Sequence, residues 1–289
     1  MHLDKKWRKL WLLYLTTNVY AMKAELTANN DIIHQVLVLY KGLKLNELEK
    51  KTKGRKLAIP IPTILAYGIF KQNYGIETKK SAYELLRPEC SYKTLVVNLN
   101  RFAPLATLIL SIILYINQAF AHMIKYTDST DISVCLPQHG KSHKTMKLLA
   151  SWGGTSTGTF YGIKLHITTD FNRRILKVRF ASGRVDERDV FKRMNADLEG
   201  IFICDAGYIR KSLQKAFHRE GKRIMIVKPR SNMKKLMTKF EEWLYNGRMT
   251  IELSFRSLKM FYGLVTSLPR SVEGYLANYT YALLAYCLA

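Results

Sequence analysis

The chain has 289 residues, enough to bury the core of one large domain or two smaller ones, and its 48% hydrophobic content marks a folded protein. Before Ala121 there are 18 basic and 8 acidic residues, and from Ala121 on there are 28 and 14. The two parts carry net charges of +10 and +14, which sum to +24. The positive charge is therefore spread along the chain and is not confined to a basic tail. A chain this basic is expected to bind a polyanion, with nucleic acid ahead of an acidic membrane surface.

The cysteines argue against two further classes, a zinc protein and a disulfide-stapled protein. No CxxC pair occurs among the four cysteines, which are Cys90, Cys135, Cys204 and Cys287. The apolar run around Trp11–Leu15 is short and is followed by no cleavage pattern, so no signal peptide is expected. We therefore expect a cytoplasmic, nucleoid-associated protein.

Residues 1–120 are expected to form an all-α N-terminal domain. Apolar residues recur at helical spacing in Asp31–Tyr40 and Ile64–Phe70. Ser81–Arg87 and Ser91–Phe102 then indicate two short helices joined by a turn, the outline of a helix–turn–helix module that reads the DNA major groove. The alternative is a plain helical bundle with no DNA contact.

The segment Ala103–Ile124 has no charged residue and is long enough to be a transmembrane candidate. Its polar interruptions are Pro104, Asn117, Gln118 and His122. A buried helix is favoured over a membrane span by these residues, by the basic flanks and by the direct continuation into a strand ending at Asp128.

Residues 121–289 predict an α/β domain. Five strands are expected, at Met123–Thr127, Phe160–Thr168, Ile175–Ala181, Gly200–Cys204 and Arg223–Val227. Helices are expected at Asp186–Met194, Ser212–Arg219 and Lys239–Phe261. Three consecutive strands followed by alternating helices and strands describe a five-stranded mixed sheet flanked by helices.

Three carboxylates in this domain suggest a metal site. Asp128 and Asp205 each follow an apolar strand, and open sheets place functional side chains at such strand ends. Glu252 lies on the predicted C-terminal helix. If the fold brings them together, a cation must neutralise them, and hard oxygen ligands favour two Mg²⁺ or Mn²⁺ ions. The alternative for each carboxylate alone is a helix cap or a solvent-facing side chain.

The sequence YNGRMTIELSFRSLK places four polar residues at offsets of 0, 3, 7 and 14, within one stripe of a helix. They are Tyr245, Arg248, Glu252 and Lys259. A single carboxylate among basic side chains and a tyrosine is the arrangement expected where an anion is bound next to a metal ion. A basic amphipathic helix is the alternative, and Asn246–Gly247 could break the helix.

These motifs together resemble those of a bacterial insertion-sequence transposase of the DDE class, whose catalytic domain has the ribonuclease H-like fold. Thr127–Ser129 resembles the segment around the first Asp, and Cys204–Tyr208 is similar to the Asp-x-x-Tyr pattern of the second. The spacing Tyr-x2-Arg-x3-Glu-x6-Lys matches the signature around the catalytic Glu of one large branch.

The resemblance implies that Asp128, Asp205 and Glu252 bind the metal ions. It also implies that Tyr245, Arg248 and Lys259 hold DNA phosphates. Asp131, three residues from Asp128, is an alternative first ligand.

The segment Pro137–Gly158 is expected to be a basic loop that faces DNA phosphates through Lys141 and Lys144. His139 and His143 have the spacing of a zinc pair but no Cys or acidic partner nearby. Trp152 could stack on an unpaired base, or it could be a buried anchor for the loop.

We therefore predict an enzyme that cuts DNA at the ends of its element and joins the new 3′ hydroxyl to target DNA. Its partners would be double-stranded DNA, as terminal inverted repeats and as target, and a second copy of the chain assembled on that DNA, with no membrane. The alternatives are a metal-dependent nuclease of the same fold and a non-catalytic DNA-binding protein derived from a transposase.

Overall fold

The computed structural model of the chain describes residues 29–48, 56–155, 158–229, 233, 236–265 and 269–289. Its N-terminal helices are α1 (29–42), α2 (Ile61–Asn73), α3 (Lys79–Leu86), α4 (Tyr92–Arg101) and α5 (Ala103–Ala119). Six strands follow: β1 (Ile124–Cys135), β2 (Ser151–Thr155), β3 (Gly158–Asp170), β4 (Ile175–Ser182), β5 (Gly200–Cys204) and β6 (Arg223–Val227). The later helices are α6 (Glu187–Met194), α7 (Lys211–Phe217), α8 (Lys239–Asn246), α9 (Met249–Met260) and α10 (Val272–Leu288).

The strands form one mixed sheet, which confirms the predicted α/β class. The order is β2-β3-β1-β5-β6, and β4 also pairs with β3. Residues 158–162 of β3 pair with β2 and residues 163–169 pair with β4, so these two strands share one edge of β3. The β1–β5 and β5–β6 pairs are parallel, and the others are antiparallel.

The predicted strand count of five was wrong, because β2 lies in the segment predicted as a loop. Ser151–Thr155 contains two consecutive glycines and lacks the alternation of apolar residues that marks a half-buried strand. It forms a strand through its pairing with β3. At Gly153, an added Cβ would lie 2.6 Å from the carbonyl oxygen of Gly183, so the backbones approach too closely for a larger residue.

The predicted end of β1 was also wrong. The strand does not stop near Asp128 but continues to Cys135, because residues 128–135 pair with Ile167 to Tyr161 of β3. The polar residues of this half are only partly buried, which is why they resemble a strand end in the sequence. Asp128 therefore lies within a strand, just beyond the part of β1 that pairs with β5.

The helix α5 is shorter and less buried than predicted. It ends at Ala119, and its fully buried residues lie along one face, while Tyr115 and Ile116 are exposed. Two of the polar interruptions, Asn117 and Gln118, donate hydrogen bonds to the carbonyl oxygens of Ile175 and Leu176 on β4. Among the described residues, no single helix is long and apolar enough to cross a membrane, although α4 and α5 together, bent by 43°, meet that length and composition test.

Two helices, α4 and α6, begin with a side-chain cap. Ser91 accepts a hydrogen bond from the backbone N–H of Thr94 at the start of α4. Asp186 accepts one from Arg188 at the start of α6. The predicted pair of short helices is present as α3 and α4. Its contact with DNA stays a prediction.

The N-terminal helices pack against α10, a helix that the sequence analysis did not identify. The Tyr281 ring lies where a Cβ on Gly68 of α2 would stand, and its hydroxyl donates to the Leu99 carbonyl of α4. One hydrophobic core includes buried residues of these helices and of the sheet, the first in the chain being Ile32 and the last Ala285. A second core, built around Phe191 and Phe202, lies beneath α6 and α7. The domain boundary near residue 120 stays a prediction.

Candidate functional site

Asp128 and Asp205 lie close together because β1 and β5 are adjacent parallel strands. Ile124–Tyr126 pairs with Ile201–Ile203, and both strands run toward the same edge of the sheet. At that edge β5 ends, and Asp205 follows as the N-cap of a 3-10 turn. The predicted position of Asp205 is confirmed, and Asp128 lies beside it on the longer strand.

The predicted single helix from Tyr245 to Lys259 is interrupted. The helix α8 ends at Asn246, and α9 begins at Met249. Gly247 and Arg248 nevertheless keep right-handed helical angles, so the Tyr245 hydroxyl still lies 3.4 Å from Arg248 Nη1. The four residues of the predicted stripe therefore continue along one side across the break.

Gly247 is required by the packing of β1 against this break. The Tyr126 hydroxyl occupies the space where a Cβ on residue 247 would stand, and Tyr126 is almost fully buried. Because residue 247 has no side chain, the α8–α9 junction packs directly on β1 at Tyr126, which is two residues before Asp128.

The three predicted carboxylates converge on one guanidinium, that of Arg248. Arg248 Nη2 lies 2.6 Å from Asp128 Oδ2, and Nη1 lies 3.5 Å from Asp205 Oδ1 and 3.3 Å from Glu252 Oε1. The Tyr245 hydroxyl donates a hydrogen bond of 3.2 Å to Asp205 Oδ1. The side chains of Asp128 and Arg248 are nearly buried, whereas Asp205 and Glu252 open to solvent.

Burial and ion pairing act in opposite directions on these groups. Burial raises the pKa of Asp128, and the charge and hydrogen bond of Arg248 offset this only in part. For Arg248, burial lowers the pKa, but the charge and hydrogen bond of Asp128 outweigh it, so the pKa is raised overall. The guanidinium therefore stays charged and balances the buried carboxylate.

Carboxylate oxygens are hard donors of the kind that bind divalent cations, and two of these three carboxylates face solvent. In the described parts of the chain, no group of three or more acidic, histidine or cysteine side chains has the spacing to hold a metal ion. Arg248 instead lies at the centre of the set. Its Nε is buried without a hydrogen-bond partner, so the guanidinium is held by its two terminal nitrogens alone.

Lys259 and Asp131 form a separate pair. Lys259 Nζ lies 3.4 Å from Asp131 Oδ1, and both side chains are partly exposed. Asp131 is thus engaged with Lys259, and Asp128 is the carboxylate of β1 that contacts Arg248.

The structure does not bring the residues of the predicted basic loop to the carboxylates. Trp152 pairs with Tyr161, which in turn pairs with Cys135 at the far end of β1. Seven residues of strand separate Cys135 from Asp128, about 23 Å. Lys141 and Lys144, both exposed, lie between β1 and β2 at that far end, and Trp152 is 41% exposed with its ring edge-on to Tyr161.

The sequence analysis missed one residue near the carboxylates, Lys228. Lys228 follows β6 as Asp205 follows β5, and its amine lies 5.0 Å above the Tyr245 ring. The rule that functional side chains follow parallel strands would have identified it. Tyr208, the tyrosine of the Asp-x-x-Tyr pattern, is fully buried.

Comparisons with known proteins identify a family for the chain. No curated protein matches the chain by sequence. A solved structure of the piggyBac transposase synaptic complex with hairpin DNA, determined by cryo-electron microscopy, is similar with a TM-score of 0.49 at 9% sequence identity. The alignment covers 89% of this chain and 71% of that one. The Transposase DDE domain family matches residues 118–271, just over half of the chain and the part that carries all three carboxylates. The chain therefore belongs to the DDE transposase domain family.

Proposed function

We propose that this chain is a transposase of the bacterial insertion-sequence type, which cleaves DNA at the ends of its element and transfers the new 3′ hydroxyl to target DNA. Asp128, Asp205 and Glu252 are its metal-binding carboxylates. The observation that carries the proposal is their convergence, from β1, β5 and α9, on the one guanidinium of Arg248.

The ions would be Mg²⁺ or Mn²⁺, two per site, and they would activate the attacking water or hydroxyl and stabilise the leaving oxygen. Asp128 anchors the site, since it is buried in the sheet and its backbone is fixed by pairing with β3. Arg248 holds the carboxylates together, and the Tyr245 hydroxyl orients Asp205 through its hydrogen bond. Glu252, more than half exposed, is the carboxylate that can move toward an incoming ion.

DNA binding would use the cations around this cluster. Lys228 lies over the Tyr245 ring and Lys259 lies beside Asp131, and the net charge of +24 supports a duplex partner. Arg248 was predicted to hold a phosphate, but its guanidinium is occupied by carboxylates, which favours an organising role. The DNA would comprise the terminal inverted repeats and the target, bound by a homodimer that assembles on it, with α3 and α4 in the DNA-reading region.

The test is a magnesium-dependent cleavage assay on duplexes that carry the inverted repeats flanking the gene. Asp205→Asn and Glu252→Gln keep the side-chain shapes but remove the charges, so cleavage should fall by a factor of ~1000 or more. Glu242→Gln, an exposed residue on the neighbouring helix α8, is the matched control and should cleave like the parent.

Binding of the same duplexes in calcium should persist in both variants, because each removes negative charge from a surface that faces phosphate. Near-parental cleavage by both variants would refute the carboxylate assignment. Strand-transfer products on a plasmid target distinguish the transposase from a nuclease of the same fold, which would cut without joining.

A further inference from the structure

A cavity of about 530 Å³ lies among the N-terminal helices and shares no residue with the carboxylate cluster. It is bounded by the end of α2, the start of α3, one side of α4 and the first turn of α10. Two lysine side chains, Lys71 and Lys79, line it together. Lysine is almost never fully buried unless it is paired, so the pair calls for a physical reason.

Lys71 is 5% exposed, which is unusual for a charged side chain. Its amine donates one hydrogen bond, of 3.3 Å, to the side chain of the adjacent Gln72. Lys79 donates one of 2.8 Å to Asn100 Oδ1. Neither amine forms an ion pair with a residue in the described ranges, and each has three donors to satisfy. Among the described residues, each amine therefore donates a hydrogen bond to one acceptor.

The two charges also oppose each other. Burial, together with the charge of Lys79, lowers the pKa of Lys71 to about 8. Burial alone lowers the pKa of Lys79 to about 8. Both amines are still protonated in the larger part near neutral pH, so two cations face one partly dry cavity. An anion between them would relieve both the desolvation and the repulsion.

The rest of the lining is also suited to an anion. Arg270 and Ser271 lie at the N-terminus of α10, where Ser271 caps the backbone N–H of Gly274. The first backbone N–H groups of a helix have no intrahelical acceptor and carry a partial positive charge. Glu77 also lines the cavity.

We propose that this cavity binds a phosphate group, with Lys71 and Lys79 as its two charged donors and the N-terminus of α10 as a third contact. Tyr92 lines the cavity and is 42% exposed, so an aromatic face is available for the nucleoside next to the phosphate. The phosphate source is DNA backbone, and this part of the proposal rests on the proposed function. The site would add a contact on the predicted DNA-binding helices, away from the carboxylates.

The first experiment measures the melting temperature of the full chain in sodium phosphate and in sodium chloride at equal ionic strength. Phosphate should raise the melting temperature of the parent by mass action. Lys71→Met and Lys79→Met keep side-chain volume and remove one charge each, and both should lose this shift. Lys80→Met is the matched control, because Lys80 is next to Lys79, has a 73% exposed side chain and pairs with Glu84.

The second experiment measures binding of a duplex as a function of salt, in calcium so that cleavage plays no part. Lys79→Met should weaken binding about tenfold relative to Lys80→Met, as expected when a charge-assisted contact is lost. The magnitude of its log–log salt slope should fall by about 0.9, the contribution of one phosphate contact. All three variants lose one unit of charge, so a difference between them reflects position.

Each possible result either supports or overturns the proposed phosphate site. Loss of the phosphate shift in both Lys71→Met and Lys79→Met, with weaker duplex binding by Lys79→Met and with Lys80→Met unchanged, supports a DNA-phosphate site. A phosphate-dependent melting shift without any difference in duplex binding overturns the DNA source and leaves a site for free phosphate. No phosphate shift in the parent, or lower stability of Lys79→Met in chloride alone, shows that the lysines are structural and overturns the proposal. Failure of the cleavage assay leaves these measurements unaffected.

Discussion

Arg248 Nη2 and Asp128 Oδ2 lie 2.6 Å apart, although 120 residues separate them in the sequence. Both side chains are less than 15% exposed, so this ion pair joins α9 to β1 inside the protein. A buried carboxylate without its partner is strongly unfavourable, whereas the intact pair is close to neutral for stability. The contact therefore defines the position of α9, and with it the position of Glu252 relative to Asp205.

Replacing Arg248 with methionine should destabilise the fold by about 3–5 kcal/mol, because it leaves Asp128 buried and unpaired. Urea denaturation at neutral pH measures this loss. Arg256→Met is the control on the same helix, since Arg256 is exposed and, among the described residues, its Nε donates a hydrogen bond only to the sulfur of Met260, at 3.4 Å.

The same variant tests whether the carboxylates accept a divalent cation. Magnesium chloride should raise the melting temperature of Arg248→Met more than that of the parent, because the ion no longer competes with the guanidinium. Equal shifts in parent, Arg248→Met and Arg256→Met would contradict a shared cation site.

Gly247→Ala should destabilise the protein by roughly 1–3 kcal/mol, because the new methyl group meets the hydroxyl of Tyr126 in a closely packed region. Tyr126→Phe removes that hydroxyl, so the double variant should recover part of the loss. A double-mutant cycle in chemical denaturation measures this coupling. Gly42→Ala, where an added Cβ meets nothing, is the control, and additive effects at 126 and 247 would be the contrary result.

Asp131→Asn should leave cleavage intact and strengthen DNA binding, because it frees the Lys259 amine from its carboxylate partner. Its effect on stability should be below about 1 kcal/mol, as for other partly exposed ion pairs. Parallel cleavage and binding assays measure both effects. Loss of cleavage comparable to that of Asp205→Asn would instead make Asp131 a metal ligand.

His166 should make the fold sensitive to acid. Burial lowers its pKa from 6.5 to about 4, and its Nε2 has no hydrogen-bond partner. The folded state therefore binds this proton less readily than the unfolded state, so stability is complete above pH 6.5 and falls as the pH decreases to about 4. The loss is about 3 kcal/mol. Denaturation curves for parent and His166→Leu should differ in their slope with pH over that interval, and identical slopes would refute the assignment.

DNA binding by the whole chain should weaken steeply with salt, since each phosphate contact contributes a log–log slope of about −0.9. The net charge of +24 motivates this expectation. Fluorescence anisotropy of a labelled duplex between low and moderate salt measures the slope. An affinity that does not change with salt would count against a nucleic-acid partner.

Most elements of the fold follow from local sequence patterns. The strand at Gly200–Cys204 is a short apolar run, and the caps at Ser91 and Asp186 mark helix starts through side-chain acceptors. Such signals depend on neighbours in the sequence, so they survive without knowledge of the fold. By contrast, α10 is apolar on nearly all sides because it is buried between other helices, and it has no amphipathic stripe to reveal it.

The sequence by itself determined the α/β class and the basic character of the chain, and it predicted the three carboxylates that meet at Arg248. Only the tertiary structure decided that β1 continues past Asp128, that Asp131 pairs with Lys259 and that Arg248 lies among the carboxylates. The break at Gly247 is likewise decided by Tyr126, a residue 121 positions away. Strand pairing, ion pairing and close packing join residues that are distant in the chain, and no local periodicity records which distant residue will be the partner.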